Sequence, residues 1–187
     1  MATFKINGKN FATQDGTGAA TIHSDVVFPA GHIISFATGT LTRGSDLAIG
    51  DNVEYHLTDL SCDLVTTSTS NKIVVQYMIP DVYNLNSSGN SLHFGVRYNV
   101  GTGAFDNSAA QTLGAKSYPA AYVGYQAGNF SSSLTTAVVM VTATVPTVNT
   151  LRLYPILKGV DGGAEIFDNS ATSAFDEASI IAYEIKQ

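Results

Sequence analysis

The sequence predicts an all-β protein, and three observations support this fold class. Apolar and polar residues alternate with a period of two along most of the chain, which is the pattern of half-buried strands. Tyr, Val, Ile, Phe and Thr are concentrated in these alternating segments. Turn-forming stretches such as TSTSN, LNSSGN and AGNFSSS separate the segments. Helical periodicity is nearly absent, and the closest candidate for a helix, SATSAFDEAS, is too short for more than a turn or two.

Residues 1–25 are predicted to form a docking arm and linker ahead of a main domain at residues 26–187. The opening FKINGKNF contains Asn-Gly, which favours the turn of a β-hairpin because both central positions need positive φ. Its apolar residues are the candidate docking residues: Phe4, Ile6 and Phe11. A hairpin arm can add strands to the sheet edge of a neighbour. The stretch ATQDGTGAATIHSD is predicted to be a linker.

The main domain is predicted to contain eight strands. They cover residues 31–43, 52–66, 71–83, 91–100, 117–127, 135–145, 150–160 and 178–186. Short connections between them favour an eight-stranded antiparallel jelly-roll sandwich, with a closed barrel as the alternative. Pro80 and Pro155 lack the amide donor of a strand ladder, so we expect them at edges, bulges or sheet corners.

Composition and charge limit the partners and the compartment. Charged residues make up 13% of the chain and the net charge is −6, with no cluster of Lys and Arg, which argues against nucleic-acid binding. No apolar run is long enough to cross a membrane, and the N-terminus lacks the apolar core of a signal peptide, so we expect synthesis in a cytoplasm. The single cysteine, Cys62, is interpreted as a small apolar strand residue.

No motif for catalysis, cofactor binding or metal binding stands out. HExxH, GxSxG and P-loop patterns are absent from the sequence. The histidines are too dispersed to suggest a zinc site: His23, His32, His56 and His93. The spacing of the loop carboxylates selects no pair for glycoside hydrolysis: Asp106, Glu165, Asp168 and Asp176. We therefore expect a protein that is not an enzyme and needs no cofactor.

The pentapeptide FDNSA occurs twice, at residues 105–109 and 167–171. Asp and Asn form turns through their own side chains, so one interpretation is that both copies cap a sheet corner, with Phe against the sheet and the polar residues in water. The other interpretation is a polar surface that binds glycan or calcium. Its candidate recognition residues are Asp106, Asn107, Asp168 and Asn169.

Tyrosines are frequent in or beside the predicted strands, and there is no Trp. A tyrosine with a buried ring and a hydroxyl at the edge suits a subunit interface, although such rings can also stack on sugars. The last strand is apolar on both of its faces at its start, which indicates cover on both sides. The candidate interface residues are Tyr77, Tyr122, Ile181, Tyr183 and Ile185.

Three phrases in order, VFPAGHIISF, TSTSNKIVVQYMI and ASIIAYEIK, resemble a group of small virion proteins of bacteriophages from marine and freshwater bacteria, including cyanophages. The matching positions are Phe28–Ile33, Thr67–Val75 and Ile180–Ile185, and the resemblance spans about residues 26–187. It implies a trimeric jelly roll similar to the complement and tumour-necrosis-factor type, located on the virion surface. In this group His32 of the PAGH phrase is expected to have a structural role in a turn. The chain has no repetitive shaft and no large attachment domain, which favours a compact knob or a capsid-bound trimer.

The leading functional hypothesis is a non-enzymatic structural protein on the surface of a tailed phage, made in the host cytoplasm. As a capsid decoration or cement protein it would contact the major capsid protein, and as a fibre-tip knob it would contact a tail protein. The alternatives are a tail-fibre adhesin for host surface polysaccharide, a cellular carbohydrate-binding module and a glycan hydrolase. Self-association as a homotrimer is expected for the virion roles, whereas a cellular carbohydrate-binding module is expected to be stable as a monomer.

Overall fold

A computed structural model describes residues 2–6, 9–14, 21–22, 29–43, 47–84, 91–118, 120–123, 135–160, 164–166 and 176–187. Every regular element in these ranges is a β-strand, which confirms the all-β prediction. The strands are β1 (Ala2–Ile6), β2 (Lys9–Gln14), β3 (Thr21–Ile22), β4 (Ile33–Arg43), β5 (Leu47–Ile49), β6 (Glu54–His56), β7 (Cys62–Val65), β8 (Lys72–Asn84), β9 (Ser91–Val100), β10 (Gln111–Thr112), β11 (Ala120–Val123), β12 (Thr135–Thr144), β13 (Thr150–Val160), β14 (Ala164–Ile166) and β15 (Asp176–Ile185).

The N-terminal segment forms a small antiparallel sheet of β1, β2 and β3, in that order. The predicted hairpin is present, because Ala2 pairs with Gln14 and Ile6 with Lys9, with a bulge between Phe4 and Lys5. Its Asn-Gly turn lies outside the described residues. The linker prediction is wrong in part, because Ala12–Gln14 belong to β2 and the short strand β3 pairs with β2.

The remaining strands form two antiparallel sheets. Sheet I contains β4, β15, β8 and β12 side by side, with β14 and β5 continuing from the end of β8. Sheet II contains β13 at its centre, with β6 and β7 on one side and β9 on the other, and β10 and β11 beyond β9.

The strand order is that of a jelly roll. If β6 and β7 share one strand position, the eight positions in chain order are β4, β6 with β7, β8, β9, β11, β12, β13 and β15. Sheet I then has the order 1-8-3-6 and sheet II the order 2-7-4-5. Consecutive positions alternate between the sheets as in Greek keys, except for positions 4 and 5, which are neighbours in sheet II. The sandwich prediction is therefore confirmed, while the short strands β5, β10 and β14 were not predicted.

Two predicted segments differ from the structure. The strand predicted at residues 52–66 is divided into β6 and β7. The residues between them form a turn that buries Leu57 and Leu60 in the core instead of continuing the strand. This turn approaches sheet I so closely that the Ser61 carbonyl would lie 2.0 Å from a Cβ at Gly39. The short helix considered at residues 170–179 is wrong over its last four residues, which begin β15.

The core lies between the sheets and follows the predicted alternation. On β8 the inward residues are Ile73, Val75, Tyr77 and Ile79, and on β9 they are Leu92, Phe94, Val96 and Tyr98. Each such side chain contributes roughly 1.5–3 kcal/mol through burial. Cys62 also lies in this core, and burial raises the pKa of its thiol to about 12, as the apolar interpretation of this residue predicted.

The three phrases that carry the phage resemblance meet at the end of β15. Gly31, in the left-handed region at φ +87°, donates to the Lys186 carbonyl, and the Lys186 amide donates to the His32 carbonyl. Glu184 is fully buried, and its carboxylate accepts hydrogen bonds from the Thr67 and Ser68 amides, the Thr67 hydroxyl and the Asn71 side chain. The PAGH and TSTSN phrases therefore bind the last strand, and the turn role predicted for His32 is confirmed for its backbone.

Candidate functional site

The outward surface of sheet I carries a contiguous apolar face. Its members point away from the core on four adjacent strands and are exposed: Ile33, Phe36, Met78, Val138, Met140 and Ile181. Cross-strand pairing makes them neighbours, since Val138 lies opposite Met78, and Ile181 and Met140 flank Gln76 from either side. Phe36 and Met140 are 72% and 65% exposed. We call this set the apolar face.

Neutral residues complete the apolar face, and charges stand only at its ends. Four neutral polar residues lie at outward positions between the apolar members, namely Thr38, Gln76, Ser179 and Thr142. A sheet face in water normally carries polar residues at alternate positions, so this face has the composition of a covered surface. Four strands about 4.8 Å apart, with outward residues about 6.7 Å apart along each, give it roughly 400 Å². This footprint includes the neutral polar side chains and is similar to the largest apolar patch of a typical monomer, about 300–600 Å², which is often functional.

The structure brings some of the predicted interface residues together on this face. Ile181, Tyr183 and Ile185 all point outward on β15, with Tyr183 opposite Phe36. Tyr77 is a correction, because its ring is 1% exposed inside the core and its hydroxyl donates to the Gly95 carbonyl at 3.1 Å. Tyr77 shares the inward phase of β8 with Ile73 and Val75, so it offers no surface to another chain. Tyr122 pairs with Leu92 through its backbone, and its side chain lies outside the described residues.

Sequence reasoning missed most of the apolar face. Phe36, Val138 and Met140 were not predicted, although a signal for two of them is present. The stretch AVVMV is apolar in both strand phases, with Val139 and Val141 inward and Val138 and Met140 outward. That doubled apolar pattern was recognised only in the last strand.

The first FDNSA copy forms a compact loop at the end of sheet II. One carboxylate oxygen of Asp106 accepts hydrogen bonds from the Ser108 hydroxyl, the Ser108 amide and the Ala109 amide, which is an Asx-type turn. These hydrogen bonds, first that of the Ser108 side chain, lower the Asp106 pKa. Asp106 and Asn107 remain exposed.

Phe105 anchors this loop to the sheet. Its ring meets Tyr154 edge to face with centroids 5.2 Å apart, and the Arg152 guanidinium lies 5.1 Å from its centroid. Arg152 is held in turn by Asp63 at 2.7 and 2.9 Å and donates to the Gly103 carbonyl. The Phe105 ring packs against the sheet while Asp106 and Asn107 are exposed. This is the arrangement predicted by the interpretation that FDNSA caps a sheet corner. The second copy, with Asp168 and Asn169, lies outside the described residues.

A charged cluster holds Tyr118, at the end of the next segment, against sheet II. The carboxylate of Glu54 accepts from the Arg97 guanidinium at 3.0–3.2 Å and from the Tyr118 hydroxyl, and its Oε1 lies 2.9 Å from His56 Nε2. Burial works to raise the Glu54 pKa, but the hydrogen bonds from Tyr118 and Arg97 and the charge of Arg97 outweigh it, so the pKa is lowered. The ionised carboxylate of Glu54 therefore links β6 to Arg97 of β9 and to Tyr118, and we call this group of contacts the clamp.

The remaining candidate residues are placed as follows. Phe4 of the arm is 59% exposed, while only the backbone of Ile6 and Phe11 is described. No group of three His, Cys, Asp or Glu side chains suited to a metal occurs in the described ranges. The described residues also contain no helix that could cross a bilayer.

Comparison with known proteins gives structural likeness only. No family model and no curated protein matches the chain. It is similar to the CBM22-1 xylan-binding domain from Paenibacillus barcinonensis, with 14% identity and a TM-score of 0.33, over 86% of this chain and 99% of that domain. It is also similar to a chain in the structure of the infectious bursal disease virus Gx strain, with 11% identity and a TM-score of 0.35, over 98% of this chain and 46% of the viral one.

This chain therefore spans less than half of the viral chain. Both TM-scores lie below 0.5, so neither likeness bears on function. The class that the structure defines is an antiparallel β-sandwich with jelly-roll strand order.

Proposed function

We propose that this protein is a non-enzymatic structural component of the surface of a tailed-phage virion and that it assembles as a homotrimer through its apolar face. The single observation that carries the assembly is the exposed apolar surface across four strands of sheet I. The virion and the three-fold symmetry come from the resemblance of the three sequence phrases to phage surface proteins.

The size of the apolar face fits the centre of a subunit interface. A stable interface buries about 800 Å² per partner, around twice the estimated area of this face. Interfaces combine an apolar centre with a polar rim. Lys72 and Glu177 at the ends of the face supply part of such a rim, and the polar side chains within the face are neutral, so no charge would be buried at its centre.

Within the virion we propose capsid decoration, with the N-terminal sheet as the docking element that contacts the major capsid protein. Phe4 supports this assignment because a large aromatic ring is 59% exposed on a short antiparallel sheet. A fibre-tip adhesin for host surface polysaccharide is the second candidate, and it is favoured by the wet FDNSA loop at Phe105–Ala109.

A matched pair of variants tests the assembly. Val138→Glu places a carboxylate within the apolar face, opposite Met78, and Val148→Glu places one at a similarly exposed valine in the turn before β13. Light scattering after size exclusion should give about 59 kDa, three times the chain mass of 19.6 kDa, for wild type and Val148→Glu. Val138→Glu should give the monomer mass, because burying an unpaired charge at an interface is unfavourable. Retention of the trimer by Val138→Glu would exclude this face as the interface.

The virion role is tested separately. Gold-labelled antibody against this chain, applied to intact particles of the phage that encodes it, should label the head. Labelling of the fibre tip would favour the second candidate, and particles that lack the chain would overturn the virion proposal. Removing residues 1–25 should leave the trimer mass unchanged but abolish head labelling when the truncated chain is added back.

A further inference from the structure

A pocket opens at the end of sheet II, between the turn that follows β9 and the first FDNSA loop. Its volume is about 310 Å³, and its walls include Asn99, Val100, Gly103, Ala104, Asp106 and Gln111. Arg152 donates to the Gly103 carbonyl at 2.6 Å, and the Asx-type turn fixes Asp106, so both sides of the pocket are held by hydrogen bonds.

Asn99 supplies the observation that points to a ligand. Its side chain is only 9% exposed, and its Nδ2 donates to the Asp106 carbonyl at 2.9 Å, which sets the orientation of the amide. The Oδ1 on the other side of that amide is buried and has no hydrogen-bond partner among the described residues. A buried acceptor left without a donor is costly, and native proteins normally satisfy such a group with a protein donor, an ordered water or a ligand.

The other polar groups of the pocket are mostly acceptors. Asp106 is exposed, and its hydrogen bonds from Ser108 and Ala109 within the described chain use only Oδ1, so Oδ2 is available to a ligand. Gln111 accepts from the Tyr98 hydroxyl at 2.8 Å through Oε1, which turns its Nε2 donor away from that contact. Val100 is 49% exposed beside these groups and offers an apolar contact.

This combination fits the hydroxyl groups and C–H face of a sugar ring. A sugar hydroxyl can donate to Asn99 Oδ1 or Asp106 Oδ2 and accept from an amide such as that of Gln111, while ring C–H groups contact Val100. A metal ion fits less well, because calcium takes six to eight oxygen ligands and the pocket offers one carboxylate. An anion would be repelled by Asp106. The volume is at the low end for small-molecule pockets, which suits one sugar unit.

We propose that this pocket binds a single neutral pyranose unit of a glycan, with one of its hydroxyls donating to Asn99 Oδ1. Because Oδ1 is covered, the hydroxyl reaches it through a small displacement of the adjacent turn, where Gly101 and Gly103 carry no side chain. The site is contained within one chain, so it does not depend on the proposed trimer.

The direct test is a titration of the ¹⁵N-labelled full chain with the methyl pyranosides of glucose, galactose, mannose and N-acetylglucosamine, followed by NMR. At least one should produce saturable shifts of the Asn99 side-chain amide and of the backbone amides of residues 101–109. A single ring in a shallow pocket should bind with a dissociation constant on the order of a few mM. If none of the four gives saturable shifts at these residues, the proposal is wrong.

Two matched substitutions locate the site. A Cβ at Gly103 meets no atom within 4 Å and its φ is not positive, so Gly103→Phe is tolerated by the fold and narrows the pocket. Gly103→Phe should raise the dissociation constant for the sugar by about tenfold or more, because the sugar ring can no longer enter the pocket fully. Ala115→Phe lies in a different groove, between β12 and the segment after β10, and should leave binding unchanged. Loss of binding in Ala115→Phe but not in Gly103→Phe would place the site elsewhere.

Asp106→Asn separates a sugar from a cation. The asparagine keeps an Oδ1 acceptor for Ser108 and Ala109, so the turn is retained while the charge is removed. Sugar binding should change by less than about tenfold, since one hydroxyl contact remains possible. Calcium-induced shifts of the same amides that vanish in Asp106→Asn, without sugar-induced shifts in the wild type, would replace the proposal with a metal site.

Discussion

The outer surfaces of the two sheets are covered in different ways. On sheet II, Phe105 packs on Tyr154 and the Ser117 carbonyl lies over Gly95 beside Ile156, so that Tyr154 and Ile156 are buried although they point away from the core. On sheet I, the described chain leaves Phe36, Val138 and Met140 exposed in the equivalent outward positions. A β-sheet with apolar residues on both faces needs cover on both faces, and here one connection supplies it for sheet II.

The chemistry of the two surfaces follows this difference. The cover of sheet II is held by charged groups, with Glu54 bound to Arg97 and Asp63 bound to Arg152. The central rows of sheet I carry no charge and only neutral polar residues between the apolar ones. Charges in a fixed cluster suit a permanent intrachain contact, whereas a neutral apolar surface suits association with another chain. Among the described residues no segment covers sheet I, and this difference between the sheets is what supports the proposed self-association.

The largest effect should come from displacing the cover of sheet II. The Ser117 carbonyl would lie 1.9 Å from a Cβ at Gly95, so Gly95→Val forces residues 117–118 off the sheet. We expect a loss of about 2–4 kcal/mol in the free energy of unfolding, measured by urea denaturation. Gly103→Val is the matched control, because its Cβ meets no atom within 4 Å, and its stability should stay within about 0.5 kcal/mol of wild type. Equal stability of the two variants would show that the cover is not attached as described.

A smaller effect should follow from weakening the clamp that holds the cover. Glu54→Gln removes the charge that Arg97 pairs with, and we expect it to cost about 1–3 kcal/mol at neutral pH. Because the folded pKa of Glu54 lies below its ordinary value of 4.5, its stabilisation is present above pH 4.5 and is lost as pH falls through the folded pKa. The difference between wild type and Glu54→Gln in urea denaturation should therefore shrink on acidification below pH 4.5. A difference that is constant from neutral pH to strong acid would contradict the ionised clamp.

The smallest effect is expected beneath the cover, at Tyr154. Its hydroxyl is buried and has no hydrogen-bond partner among the described residues. Tyr154→Phe removes that group while keeping the ring that packs on Phe105, so stability should stay within about 0.5 kcal/mol of wild type or rise. A clear loss of stability in thermal denaturation would reveal a hydrogen bond that this account lacks.

The sequence predicted the strands whose alternation is long and regular. The predicted segments at 91–100 and 150–160 coincide with β9 and β13, and that at 71–83 differs from β8 by one residue at each end. The segment at 52–66 failed because Leu57 and Leu60 bury through a turn, for which a period of two contains no signal. The partners of Glu184 lie more than 110 residues away in the chain, so no local pattern could have identified that buried carboxylate.

The sequence placed candidate interface residues on the outward side of a strand correctly where both phases are apolar, and wrongly where one phase had to be chosen. Ile181 and Tyr183 point outward on the last strand, which shows apolar residues in both phases. Tyr77 was assigned to a surface from its residue type, whereas its phase on β8 is that of the core residues Val75 and Ile79. The proposed site at Asn99 depends on the orientation of one side-chain amide. A tertiary hydrogen bond to the Asp106 carbonyl sets that orientation, and no sequence pattern predicts it.

The central claim is that the apolar face of sheet I is covered by sister copies of the same chain. The mass of the full-length wild-type chain in dilute solution, measured by light scattering after size exclusion, tests it most directly. We predict about 59 kDa, three times 19.6 kDa, with little binding of a hydrophobic dye. A monodisperse 19.6 kDa species that also binds little dye would contradict the account, because the face would then need no partner.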